Sequence, residues 1–315
     1  MSKNLRALVC ACAATLFGVL GAGVQAQQVA DASFRPAIPK PTYAQGLGPL
    51  VLIDEAHFNF HTASGRYQAF AELLRRDGYN VQPSTVPFSR EALKKARILV
   101  IANALAERNG SGDWSLPTPS AFTDEEIAAV REWVRRGGSL LLIADHMPFP
   151  GAAEKLAAAF GIEFNNGFAL DETRQGGGPL IFRQSDGSLK DSPITRGRSA
   201  DEKVSEVATF TGSAFKAGQD ARPLLVFRPA IVSLMPSVAW QFKPDTPRVP
   251  VEGWLQGATL RYGKGRVAVF GEAAMFTAQL AGPDRTPIGM NSPAAPQNAR
   301  FLLNILQWLS GKLGK

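Results

Sequence analysis

Leu140-Leu141-Leu142-Ile143-Ala144-Asp145-His146-Met147 is an unbroken apolar run that ends in two ionisable residues. A segment apolar at every position suits a strand covered on both faces, as in a parallel sheet, whereas a half-exposed strand alternates. The same shape occurs upstream. Leu50-Val51-Leu52-Ile53 runs into Asp54-Glu55-Ala56-His57-Phe58-Asn59-Phe60-His61. All three histidines of the 315-residue chain therefore follow such runs. Parallel α/β sheets bind ligands outside the carboxyl ends of their strands, so the histidines fall where this architecture keeps its chemistry.

Working outward, β and α signals alternate. Gly65–Asp77 places Tyr67, Phe70, Ala71, Leu73 and Leu74 on one helical face and ends at Gly78; Tyr79–Gln82 reads as a short strand. A small helix is expected at Ser89–Lys95 and a third buried strand at Arg97–Ala102. A polar loop at 103–121, with Asn109 to Gly112 at its tip, leads to Thr123-Asp124-Glu125-Glu126, a capping box that opens a helix to Arg136. After Ser139–Ala144 come a helix over Gly151–Phe160 and a strand at Ile162–Phe164. Short β stretches such as Val204–Phe210 and Leu224–Phe227 predict an inserted antiparallel portion between 165 and 235. Gly257–Tyr262 and Arg266–Phe270 flank Gly263-Lys264-Gly265 as a hairpin, and Pro296–Leu313 reads as a closing amphipathic helix.

The N-terminus carries Lys3 and Arg6, an apolar stretch from Ala7 to Val24, and the small-residue pattern Val24-Gln25-Ala26. This predicts a signal peptide over 1–26 and a periplasmic or secreted protein. Residues 27–48, with Pro36, Pro39 and Pro41, read as a loose Pro-rich leader, and 49–315 as one α/β domain. Both cysteines, Cys10 and Cys12, fall in the signal, so the mature chain offers no disulfide or thiolate. Without Lys3 and Arg6, 32 basic face 27 acidic side chains, and the excess is scattered. Nothing resembles a nucleic-acid surface, and no second apolar run has the length of a membrane span.

Two chemistries fit the inventory of side chains at the strand ends. His57, His61 and His146 with Asp54 could hold a divalent ion such as zinc, whose open position would activate water. Alternatively, Asp145, His146 and Glu272 form a metal-free acid–base set. The structural alternative is that these polar groups cap strand ends and satisfy loop amides, with Glu272 at a helix N-terminus. Phe58, Phe60 and Phe149 flank the histidines and suit either a stacked sugar-like ligand or simple filling of the crevice. Asp54 to His57 spells a helicase box without its phosphate loop, and Gly176-Gly177-Gly178 lacks the strand-then-helix context of a phosphate cradle. No Gly-x-Ser-x-Gly elbow offers a serine nucleophile.

The Asp-Glu-x-His after the first strand resembles the class I glutamine amidotransferase-like superfamily. So do the Phe122-to-Ile127 helix start, the Gly-Gly-Ser-Leu-Leu-Leu strand from Gly137 and the Gly-Lys-Gly-Arg-Val hairpin from Gly263. Asp191-Ser192-Pro193-Ile194 and the Asn304-to-Trp308 helix are similar to gliding-motility and intraflagellar-transport-type domains; trehalose-utilisation-type proteins are more distant. The resemblance spans Leu50 to Leu313 and implies a flavodoxin-like, mostly parallel sheet flanked by helices. The superfamily's elbow cysteine is replaced by Asp145-His146-Met147, so glutamine hydrolysis through a thioester is excluded. What stays open is a hydrolase or lyase acting on a small glycan-like or envelope-derived substrate, or a non-catalytic ligand-binding or scaffolding module.

Overall fold

A computed structural model of the chain describes residues 28–173 and 178–314. The expected signal at 1–26, and Gly176 and Gly177 of the triglycine, lie outside them. The architecture is mixed α/β around a nine-stranded sheet. Its strands are β1 (Leu50–Asp54), β2 (Asn80–Ser84), β3 (Ile98–Ala102), β4 (Ser139–Ile143), β5 (Ile162–Phe164), β6 (Phe215–Ala217), β7 (Arg222–Val226), β8 (Leu255–Tyr262) and β9 (Gly265–Phe270). They lie in the order β2-β1-β3-β4-β9-β8-β6-β5, with β7 also paired to β8. The first five in that order are mutually parallel, and the remainder join antiparallel.

The apolar runs behave as strands buried on both faces. Leu141 and Ile143 point into one core with Val51, Ile53 and Val100, while Leu140 and Leu142 point into a second with Leu52, Leu99 and Ile101. Helices α1 (Gln68–Arg76) and α4 (Asn298–Leu309) close the first core through Phe70, Leu74, Phe301 and Ile305. Helices α2 (Asp124–Arg135) and α3 (Phe149–Ala158) close the second through Val130, Val134, Phe149 and Leu156. Register then sets the site. Ala102 and Phe270 both pair with Ile143, so the carboxyl ends of β3, β4 and β9 finish level.

Two expectations need correction, on the leader and on the loop at 103–121. The leader is not loose: Gln28–Ala30 pairs antiparallel with Ala278–Ala281, and Thr42 donates from backbone and hydroxyl to the buried Asp77 carboxylate. Phe34, Ile38 and Tyr43 pack on the core, which outweighs the prolines. The loop at 103–121 contains a helical turn at Glu107–Gly110. The stretch at 165–235 supplies antiparallel pairs, but the partner of Phe168–Asp171 is Ile231–Leu234, which in turn pairs with Arg248–Pro250. Such pairings across long loops leave no local trace in sequence. No helix among the described residues is long and apolar enough to cross a membrane.

Thr123 caps α2 as its sequence predicts, accepting the Glu126 N–H at 3.2 Å while the Glu126 carboxylate accepts the Thr123 N–H at 3.0 Å. Thr123→Ala should cost about 1 kcal/mol, measured as a lower urea midpoint. An unchanged midpoint would show that the cap contributes nothing.

Candidate active site

The level strand ends carry two separate polar networks. The first is closed on itself. His57 Nδ1 lies 2.9 and 3.0 Å from the two Asp54 carboxylate oxygens, and Nε2 lies 2.8 Å from Glu126 Oε1. Asp54 also accepts the Ala56 N–H and the Asn59 side-chain amide, and Glu126 accepts the Phe88 N–H. The ring packs against Phe88 and Phe122. Burial pulls the His57 pKa down, but the Asp54 and then the Glu126 carboxylate outweigh it, and the net shift is upward. His57 is thus a charged bracket between β1 and α2, with both ring nitrogens occupied.

The second network turns on Asn103, which follows β3 with φ of +50°. Its Oδ1 accepts the Asp145 backbone N–H at 2.9 Å, which fixes the orientation of the amide. Its Nδ2 must then donate to His61 Nδ1, 3.2 Å away. That leaves the His61 proton on Nε2. Burial first, then the charges of Arg66 and His146, lower the His61 pKa to about 3. The neutral ring therefore presents an N–H donor.

His146 has the complementary tautomer. Its Nδ1 donates to the Met147 carbonyl at 2.7 Å, so Nε2 keeps its lone pair and has no hydrogen-bond partner among the described residues. Burial lowers its pKa against the opposing pull of Asp145 and the Met147 carbonyl. The ring stacks on Phe168 at 4.6 Å and 11°, with Trp240, Phe149 and Trp114 around it. One imidazole thus offers a donor and the other an acceptor, each close enough for His146 to bear on the charge of His61.

Beside them stand two carboxyl groups. Asp145 accepts the His146 N–H at 2.8 Å, the Thr211 hydroxyl at 3.2 Å and the Ala273 N–H at 3.4 Å. Glu272 accepts the N–H groups of Ala274 and Met275 at 3.0 and 2.6 Å, capping the short helix Ala274–Phe276 as its structural reading anticipated. Complete burial and then the charge of Asp145 hold the Glu272 carboxyl well above the usual range. Gly212, at φ of +125°, brings the Thr211 segment over this pair; a Cβ there would lie 2.4 Å from the Gly271 carbonyl.

The structure brings His61, His146, Asp145 and Glu272 together and sets His57 and Asp54 apart. The expected metal set of His57, His61, His146 and Asp54 is corrected accordingly. The His57 nitrogens and Asp54 oxygens are already engaged, and no group of three metal-ligating side chains is found among the described residues. Of the flanking aromatics, Phe149 is buried, Phe60 is half-buried and Phe58 is exposed. Sequence reasoning missed Asn103, Trp114, Phe168, Thr211 and Trp240. Asn103 had a signal, since an Asn directly after a buried strand can adopt positive φ. The others come from distant loops. Two surface hollows, of about 620 and 400 Å³, lie elsewhere, the first at Lys190 and Arg196 and the second at Lys94 and Trp133.

Because His61 and His146 are buried neutral, unfolding lets them gain protons in acid. Their contribution is present above pH 6.5 and is lost as pH falls toward the folded values, about 3 for His61. His57 has the opposite sign: its contribution is present below pH 6.5 and is lost as pH rises through its raised folded pKa. Denaturant midpoints should thus fall on both sides of neutrality. His61→Asn should flatten the acid limb, and an unaltered limb would refute that assignment.

No protein-family model and no curated protein matches the chain. Solved structures do. The IFT52 N-terminal domain aligns with a TM-score of 0.56 at 14% identity, covering 83% of this chain and 97% of that one. It shares the fold. A cytoplasmic protein of Salmonella typhimurium aligns at 0.48 and 15% identity, over 85% of this chain and 100% of its own. A ThuA-like protein of Bacteroides uniformis aligns at 0.46 and 14%, over 87% and 95%.

Proposed function

We propose that the chain is an exported, amidotransferase-like protein of flavodoxin-like topology whose cysteine site has given way to acid–base chemistry. Its substrate would be a small glycan-like or envelope-derived molecule, and its reaction hydrolysis or elimination. One observation carries this reading. The Met147 carbonyl fixes the His146 tautomer so that an unpartnered Nε2 lone pair remains on a ring packed against Phe168 and Trp240. His146 would take a proton from water or from the substrate, and His61 Nε2–H would steady the oxygen on which charge develops. Asp145 holds the His146 backbone, and Glu272 shapes the charge around Asp145. The parallel order β2-β1-β3-β4-β9 supports the topology, and His146 follows the carboxyl end of β4, where such sheets bind ligands.

The test is turnover of a panel of glycosides and envelope-derived oligosaccharides, followed by mass spectrometry, with mature wild type beside His146→Ala. Product formed by wild type and lost in the folded variant supports the reading; equal product from both overturns it. A second reading, a ligand-binding module without turnover, is favoured by the near-complete enclosure of both imidazoles, 4% and 7% exposed. It expects retention of a panel member, without product, by wild type and variant alike. Export is tested separately: the mature protein recovered from the producing cell should begin at Gln27.

A further inference from the structure

Arg66 lies on the turn that leads into α1. Its guanidinium carbon stacks 3.8 Å from the centre of the Phe60 ring. Its Nε is shut off from solvent and has no acceptor. Among the described residues no carboxylate pairs with it, and none of its other N–H groups has a protein acceptor. Other arginines of this fold meet a carboxylate: Arg198 and Arg300 both approach Glu202, and Arg248 meets Glu172. A guanidinium stays charged at any working pH, and a partly buried one normally finds an anion.

Its position is specific. Arg66 is the cation whose charge bears on His61. Phe60, beneath it, packs on Trp114 and Phe149, and both of those rings flank His146. An unpaired positive charge thus lies beside His61, and the chain of rings from Phe60 through Trp114 and Phe149 links it to His146. Neither Glu55, which accepts the Ala63 N–H, nor Asp145, which accepts three donors, forms an ion pair with it.

We propose that Arg66 anchors a carboxylate of the ligand, so that the substrate class is a sugar acid of the uronate type; this rests on the glycan reading given above. The flat guanidinium fork matches the two oxygens of a carboxylate. A single cation favours a monoanion over a dianionic phosphate. With the acid group held by Arg66 and the sugar ring against the aromatic wall, the ring carbons would lie toward His146.

The experiment is a titration of mature protein, followed by tryptophan fluorescence and calorimetry, with glucuronate, glucose, benzoate and inorganic phosphate. Wild type is compared with Arg66→Gln and Arg66→Lys. Glucuronate should bind wild type at least tenfold more tightly than glucose does. Arg66→Gln should remove that preference and leave glucose affinity unchanged, while Arg66→Lys restores part of it. Benzoate bound through Arg66 without glucuronate would support the anchor and overturn the glycan reading. The anchor itself is overturned if Arg66→Gln binds the acids as well as wild type does, if no carboxylate binds, or if phosphate alone shows the Arg66 dependence. Turnover by the His146→Ala pair reports on the acid–base reading independently.

Discussion

His57→Ala should lower stability by roughly 3–5 kcal/mol, the range for removing one partner of a buried ion pair. The imidazole touches Asp54 on one side and Glu126 on the other, and its ring packs against Phe88 and Phe122. Truncation leaves the two carboxylates facing each other with their cation gone. Domains of this kind are stable by only about 5–15 kcal/mol, so the loss would cut deeply into the total. His57→Gln can still donate to one carboxylate and should recover part of it. Glu126→Ala in the His57→Ala background should cost less than it does in wild type, because the second carboxylate is by then a liability. Urea unfolding of wild type, the two single Ala variants and the double variant forms a complete cycle. A loss below 1 kcal/mol for His57→Ala would show that the bracket is dispensable, and a cation bound in its place would then have to be sought.

The contrast between His57 and His146 shows what the sequence could and could not reveal. The buried strands were legible because Val51, Leu99 and Leu141 belong to runs without polar interruption, and such runs have one stable environment. The end of α2 was legible because Thr123 and Glu126 satisfy each other locally. The role of each histidine was not. His57 acquires its second carboxylate from Glu126, 69 positions away, and His146 acquires its stacking partner Phe168 from the antiparallel insertion and its neighbour Trp240 from the loop after it. Contacts of that separation leave no periodic trace. Spacing therefore placed the histidines after the strand ends but grouped three that the fold divides between a closed bracket and a second network. The leader misled for a related reason: its prolines signal irregular backbone, but not whether Tyr43 and Thr42 find a surface to pack on.

His146→Ala should reduce turnover by about 10²–10⁴-fold, the usual contribution of a positioned general base. The stability cost should be small, about 1 kcal/mol, from the lost stack on Phe168. This asymmetry separates it from His57→Ala, where stability collapses first. The pH profile adds a sign. Burial lowers the His146 pKa below its ordinary 6.5, so the base is already unprotonated at neutral pH and the acid limb of the rate profile should lie below pH 6.5. His146→Gln keeps a polar side chain of similar reach but cannot accept and carry a proton in this range. It should therefore bind ligand nearly as wild type does and remain inactive. Asn103→Asp offers a further control, because it alters the donor that fixes the His61 tautomer without touching His146. If the cleft works as a donor–acceptor pair of imidazoles, Asn103→Asp should lower the rate and shift its pH dependence while His146 stays in place. A profile that moves with neither substitution would mean that proton transfer occurs elsewhere.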